Sequence, residues 1–313
     1  MDTEETGLAP FPDGAAFIEG EYVPIAQARI PILDWGFLRS DATYDVVHVW
    51  EGRFFRLDDH LDRFRRGVGR LQMTCPYDAD DIRAILNRCV ALAGLDRAYV
   101  EMICTRGTPR PGSRDPRDCV NAFYAFAIPF VSIATPQQLE HGLHLVVSEI
   151  QRIQPEAVDP TIKNYHWLDL TAGLLEAYKR GGETGVLVDG AGNLVEGPGF
   201  NIFAVFGRTV VTPRRGALEG ITRRTVIDLA RQCGLQVDVC PLPAVQARAA
   251  NETFITSTAG GIMPVTRIDG GPVGAGDPGP VFRQLNDAYW AAHADPRFAT
   301  PVDYSAASSR EVG

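Results

Sequence analysis

The chain has 313 residues, 45% of them hydrophobic and 22% charged, with a formal net charge of -9. That length supports a sizeable core and two domains. The acidic balance argues against a general nucleic-acid or anionic-membrane surface, but a local site for a small anion stays open.

The opening residues "MDTEETGLAP" are acidic and lack an apolar core, so no signal peptide is visible and a cytoplasmic protein is expected. Residues 1–12 are expected to be flexible. "YDVVHVWEGRFFRL" reads as a hairpin turning at Glu51–Gly52. Leu57, Leu61, Phe64, Val68 and Leu71 recur at helical spacing and predict a helix over 57–73. Ile82, Leu86, Cys89, Val90 and Ala93 mark a second helix, stopped by Gly94. "AYVEMICT" and "VNAFYAFAI" read as strands, and "RGTPRPGSRDPRD" between them as a loop. The longest apolar stretch, "NAFYAFAIPFVSIA", is too short and interrupted to span a bilayer.

A second unit is expected after "FVSIATPQQ", dividing the chain into 1–135 and 136–313. "GLHLVVSEI" is a strand, and Leu168, Thr171, Ala172, Leu175 and Tyr178 give a helix ending before Gly181–Gly182. "TGVLVD", "FNIFAVF" and "TVVT" are strands. "ITRRTVIDLARQCG" is a helix with Val226, Leu229, Ala230 and Cys233 on one face, and "LQVDVC" and "ETFITST" are further strands. The tail "AASSREVG" is expected to be disordered. Many strands with few helices imply an α+β fold of two domains rather than a doubly wound sheet. The six cysteines form no C-x-x-C pair and read as buried free thiols. The six histidines show no zinc-ligand spacing, so no metal is expected.

Four features carry chemistry. Lys163 in "DPTIKNYHWLDL" is a lone lysine boxed in by Pro160 and aromatic residues, and enclosure makes a lysine amine nucleophilic. Glu196 precedes Gly-Pro-Gly and a strand, where a carboxylate can approach a flat ligand and hold a ring nitrogen protonated. Gly220-Ile221-Thr222 opens a helix, with Thr222 at the cap or first turn, and free amides there suit an anion. Ser257 and Thr258 offer hydroxyls before Gly260–Gly261, and Arg56 adds a bidentate phosphate donor unless Asp58 or Asp59 takes it. Together, one lysine, one carboxylate and several phosphate donors describe a pyridoxal phosphate site.

The segments "FRLDDHLDRF", "IKNYHWLDL", "LVEGPGFNIF", "LEGITRRTV" and "TSTAGGIMPV" resemble, in order, those of fold-type IV pyridoxal-phosphate transaminases, over about residues 15 to 300. The resemblance implies that Lys163 forms the internal aldimine and that Glu196 faces the pyridine nitrogen. It implies that Arg56, the amides of Ile221 and Thr222, and Thr258, beside Ser257, hold the phosphate. It further implies homodimers of a small N-terminal and a larger C-terminal domain, the latter carrying the lysine, with the active site between them. "GFLRSDATYDVVHVWEGRFFRLDDHLDRF" and the Trp167 position look most like the (R)-selective amine transaminases, and Tyr44, Val46, Tyr99 and Leu218 then match pocket positions. The expected reaction moves an amino group from an (R)-amine or D-amino acid to a keto acid such as pyruvate. Arg39 departs from the histidine usual in that subfamily and would favour a D-amino acid transaminase by binding the substrate carboxylate. Arg110 or Arg114 in the altered loop would do the same for an acceptor. A lyase of the aminodeoxychorismate type and a binding protein without turnover are the other readings. Expected partners are small amines and keto acids, not nucleic acid or membrane.

Overall fold

Seven strands form the first sheet, in the order Ala299–Pro301, Arg53–Phe55, Ala42–Trp50, Ala98–Pro109, Cys119–Pro129, Ala15–Ile18, Glu21–Pro24, in a computed structural model that describes residues 9–307. Every pairing is antiparallel. Side chains alternate across such a sheet. Val47, Val49, Val100, Met102 and Cys104 turn to one face, where Leu61, Phe64 and Val68 of the helix Leu57–Arg70 and Ile82, Leu86 and Val90 of the helix Ala79–Ala93 complete a core. Paired residues share a face, so Tyr44, Val46 and His48 stand with Ile103, Glu101 and Tyr99 on the other side. The predicted hairpin turns at Glu51 (φ 51°) and Gly52 (φ 69°), the two positive-φ positions of a type I′ turn. Asp78 forms a capping box at the start of the second helix, and Gly94 in the left-handed conformation closes it.

Three expectations are corrected in this unit. The first helix stops at Arg70, with Leu71 as its cap, rather than running to 73. The strand Ala98–Pro109 continues four residues into the predicted loop, because its ladder to Cys119–Pro129 persists as far as Pro109 opposite Cys119. Arg106, read as loop, is tied to Asp41 at 2.9 Å and to the Leu71 carbonyl at 2.8 Å. The register shifts beside Gly107, where a Cβ would lie 1.7 Å from the Val120 carbonyl oxygen. The chain ends are held where they are described. The Phe11 amide donates to the Leu92 carbonyl at 3.0 Å, and Phe11 and Ala307 both pack against the core. The rest of the segments expected to be mobile, 1–8 and 308–313, lies outside the described residues.

The second sheet runs Gln236–Cys240, Thr209–Pro213, Phe200–Phe206, Glu252–Ser257, Gly261–Ile268, Leu143–Gln151, Thr184–Val188, with Glu196–Gly197 added to Phe200–Phe206 and Gly271–Pro272 to Gly261–Ile268. It is mixed: three of its pairings are parallel and the central ones antiparallel. Leu145, Val186, Ile202, Ile255 and Met263 are central to its core. The helix Leu168–Lys179 reverses its predicted face. Leu168 is 90% exposed, and Leu175 and Tyr178 are exposed too, while Leu170, Gly173 and Ala177 are buried. The helix lies so close to the sheet that a Cβ on Gly173 would sit 2.6 Å from Leu187, so small residues form the seam.

The chain divides into two units at Val131/Ser132, four residues before the expected boundary. The first also takes in Ile162–Tyr165, and with it Lys163, and the chain from Pro296; the second comprises Ser132–Thr161 and His166–Asp295. The lysine is thus grouped with the first unit. All six cysteines are free. Among the described residues no helix is long and apolar enough to cross a membrane, and no cluster of His, Cys, Asp or Glu could hold a metal ion.

Candidate active site

In the first unit, the segment carrying Lys163 runs along the strand Ala42–Trp50, where Asn164 bridges to Thr43. The Lys163 carbonyl accepts from the Tyr44 amide (3.2 Å) and the Thr43 hydroxyl (2.8 Å), which fixes the backbone from which the side chain springs. Lys163 Nζ lies 4.3 Å from the centre of the Tyr44 ring, within cation–π range. The other ring contact of Tyr44 is Tyr165, stacked at 4.2 Å and 2°. The Tyr165 hydroxyl donates to Glu101 Oε1 at 2.6 Å, and the Tyr99 hydroxyl to Oε2 at 3.0 Å. Glu101 is 7% exposed. Burial pushes its carboxyl pKa up, against the opposing pull of the two tyrosine hydrogen bonds and the Lys163 charge. Burial and the Glu101 charge likewise push both tyrosines up.

Tyr44, Tyr99 and Val46 were predicted in the pocket, and the structure puts them on the Lys163 side of the sheet. Glu101 and Tyr165 were missed. The signal was present: Glu101 is a lone charge in the strand "AYVEMICT", two residues from Tyr99 and therefore on its face. On the opposite face the buried Asp45 receives Arg63 Nε (2.7 Å) and contacts His60 Nδ1 at 2.7 Å. Burial opposes its charge, yet Arg63 and His60 hold its carboxyl well below the usual range. This knot pins the strand between Tyr44 and Val46 to the helix Leu57–Arg70.

The predicted arginines are placed differently. Arg56 adopts φ 57° at the cap of the helix Leu57–Arg70. Its Nε pairs with Asp59 and its guanidinium lies 5.1 Å from the centre of the Phe298 ring, so the Asp59 partner read from the sequence is present. Arg39 is exposed and stacks on Trp35, 3.3 Å from the ring centre. Arg110 pairs with Asp118 in the shortened loop, and Arg114 is exposed.

In the second unit, Glu196 lies opposite Asn201 in a short ladder. Its Oε1 accepts from Arg152 Nε at 3.0 Å and its Oε2 from the Leu218 amide at 2.8 Å. Arg152 also donates to Asp169 Oδ2 at 2.7 Å. Burial works against the arginine's charge, but Glu196 and Asp169 hold its pKa above the ordinary value. The Asn201 amide donates to the Leu218 carbonyl at 2.9 Å, and a Cβ on Gly220 would lie 2.1 Å from Asn201 Oδ1. Gly220 is the cap of the helix Ile221–Gln232 and supplies no capping side chain, so the first-turn amides have no side-chain acceptor. Ile221 and Thr222 are buried as the first two helical residues. Asn201 pairs with Thr256, whose buried hydroxyl has no hydrogen-bond partner among the described residues. Ser257, next along the strand, is buried; its hydroxyl accepts from the Ala259 amide, and Thr258 is half-buried. Trp167 lies 3.5 Å from the position of a Cβ on Gly199.

The structure thus gathers the predicted Glu196, Leu218, Ile221 and Thr222 around Asn201, and adds Arg152 and Asp169, which the sequence did not single out. Uncapped amides at a buried helix start and an unpartnered threonine hydroxyl are donors suited to a phosphate, and a buried carboxylate paired with arginine is the acceptor that a protonated ring nitrogen needs. The residues present fit pyridoxal phosphate.

The family model described as "Amino-transferase class IV" matches residues 42–268. A putative branched-chain-amino-acid aminotransferase of Methanocaldococcus jannaschii is 29% identical over 87% of this chain and 94% of its own. A D-alanine aminotransferase of Listeria innocua is 26% identical over 84% of this chain and 90% of its own. The crystal structure of a branched-chain amino acid aminotransferase from Thermobaculum terrenum, in its PLP form, shares the fold, with a TM-score of 0.84 and 24% identity over 94% of this chain and 99% of that one.

Proposed function

The chain belongs to the class IV aminotransferases, which are pyridoxal-phosphate enzymes, and on that premise we propose that it moves an amino group from an (R)-configured primary amine or a D-amino acid to a keto acid such as pyruvate. The observation that carries this reading is the Lys163 amine over the Tyr44–Tyr165 stack, with Val46 and Tyr99 on the same sheet face. Such an aromatic wall suits the apolar substituent of a primary amine.

In this reading Lys163 Nζ takes a proton from the amine-bearing carbon of the donor and later returns one, as base and then acid. The bound cofactor supplies the electron sink for the charge left on that carbon. Glu196 would hold a proton on the cofactor's ring nitrogen, and Arg152 and the Leu218 amide keep its two oxygens in place. The amides of Ile221 and Thr222, with Ser257 and Thr258, would hold the phosphate, and Arg56 would join them by leaving its Asp59 partner. Tyr44 and Thr43 orient Lys163 through its carbonyl. The reading includes a homodimer, for which the exposed Ile30, Ile32, Leu33, Phe37 and Leu38 offer an apolar surface. A D-amino acid transaminase proper, with Arg39 or a loop arginine on the substrate carboxylate, is favoured by the likeness to the Listeria D-alanine aminotransferase.

The test pairs two donor assays with one variant. Purified protein should form acetophenone from (R)-1-phenylethylamine and pyruvate. Turnover of D-alanine without acetophenone would instead select the D-amino acid reading. Lys163→Ala should lose the yellow cofactor absorbance and turnover together; wild-type rates in that variant would overturn the role of the lysine.

A further inference from the structure

We propose that Glu101 is a specificity-determining residue, whose buried carboxylate beside Lys163 disfavours donors carrying a carboxylate and selects primary amines that lack one. The inference rests on the transaminase reading above and narrows it to a substrate class.

Three observations support it. The first is placement: Glu101 pairs with Val46 across the sheet, two residues from Tyr99, and so stands on the same face as Tyr44, over whose ring the Lys163 amine lies. The second is fixity. Its two oxygens are each held by a tyrosine hydroxyl, and Tyr165 is itself stacked on Tyr44, over which the Lys163 amine lies. The third is charge. Among the described residues Glu101 has no ion-pair partner within 4.0 Å; burial raises its carboxyl pKa, and the two tyrosine hydroxyls and the Lys163 charge support the ionised form against it. A buried carboxylate without a salt bridge acts through a medium of low dielectric, so its field is strong at short range.

The geometry of any donor does the rest. An amino acid carries its carboxylate on the same carbon as the reacting nitrogen, and that carbon must come within reach of Lys163 Nζ. Glu101 then faces a like charge that no rotation of the substrate removes. It also attracts the ammonium group that every donor brings, so an amine without a carboxylate gains the attraction and avoids the repulsion. A keto-acid acceptor meets the same repulsion and needs a cationic partner elsewhere, whereas an aldehyde acceptor does not.

The experiment uses holoenzyme of the wild type and of Glu101→Gln, which keeps the shape and removes the charge, with one tyrosine hydroxyl turning to accept from the new amide nitrogen. The ratio of kcat/KM for D-alanine to that for (R)-1-phenylethylamine should rise at least tenfold in the variant. Without turnover, benzoate should bind the variant at least tenfold more tightly than the wild type, while benzyl alcohol binds both within threefold. A ratio that moves less than threefold, or benzoate affinity that does not change, overturns the inference. Glu101→Met, neutral and of similar volume, gives the same test if the glutamine variant does not load cofactor. A wild type that transaminates no donor sinks the functional reading instead, and the benzoate comparison still decides the role of Glu101.

Discussion

Removing Arg152 should be the most costly single change near the proposed ring-nitrogen site. Arg152 is 6% exposed, with Nε 3.0 Å from Glu196 and its other arm 2.7 Å from Asp169. At an effective dielectric of about 20, these contacts correspond to gross attractions of about 5.5 and about 6 kcal/mol, largely offset by the desolvation of the three groups. Their net value is therefore small, but Arg152→Met leaves two carboxylates without the cation they share. Breaking a buried pair in this way costs about 3–5 kcal/mol. At about 2–4 °C per kcal/mol for a domain of this size, the melting temperature should fall by roughly 6–20 °C. Glu196 should also lose the cation that favours its charged form, so pyridoxal phosphate should bind more weakly and kcat should fall. Arg152→Lys, which keeps the charge but loses the fork, should lie between the two. Urea unfolding of the apoprotein and titration of the cofactor's visible absorbance measure both effects. Unfolding of Arg152→Met within about 1 kcal/mol of the wild type would show that the arginine is dispensable to Glu196 and refute this account.

Gly220→Ala should push the helix start away from Asn201, because the new Cβ would lie 2.1 Å from Asn201 Oδ1; about 1–3 kcal/mol of strain is expected, with pyridoxal-phosphate affinity reduced tenfold or more by titration, and unchanged affinity would argue against the amides of Ile221 and Thr222 as phosphate donors. Acid should unfold the first unit in two stages. Burial keeps His60 neutral in the fold by lowering its pKa, so stability should decline as pH falls below about 6.5, where the unfolded histidine takes up a proton. Asp45 has a depressed folded pKa, so its contribution is present above about pH 3.9 and is lost as pH falls further towards that folded value. Asp45→Asn should cost about 3–5 kcal/mol at neutral pH by leaving Arg63 buried without its carboxylate, and should remove the second stage; urea unfolding that is flat from pH 7 to 5 in the wild type would contradict the first.

The local pattern of the chain determined its elements and their chemistry. Glu51–Gly52 had to turn, because the flanking residues alternate as two strands and a tight hairpin needs positive φ at both central positions. Gly220-Ile221-Thr222 had to open a helix, and because Gly220 takes the cap position the first-turn amides have no capping side chain. Lys163 and Glu196 stood out by residue type and neighbours alone. Other features depended on contacts between residues far apart in the chain. The helix Leu168–Lys179 turned its larger apolar residues outward because the sheet approaches at Gly173, a closeness that no helical periodicity records. Arg106 left the predicted loop because the strand ladder and Asp41, 65 residues away, hold it. Arg152 reaches Glu196 across 44 residues, and Tyr165 reaches Glu101 across 64. Periodicity assigns a residue to a face, but it does not say which distant residue meets it there. The sequence therefore determined the lysine and the carboxylate, and tertiary packing decided which charges surround them.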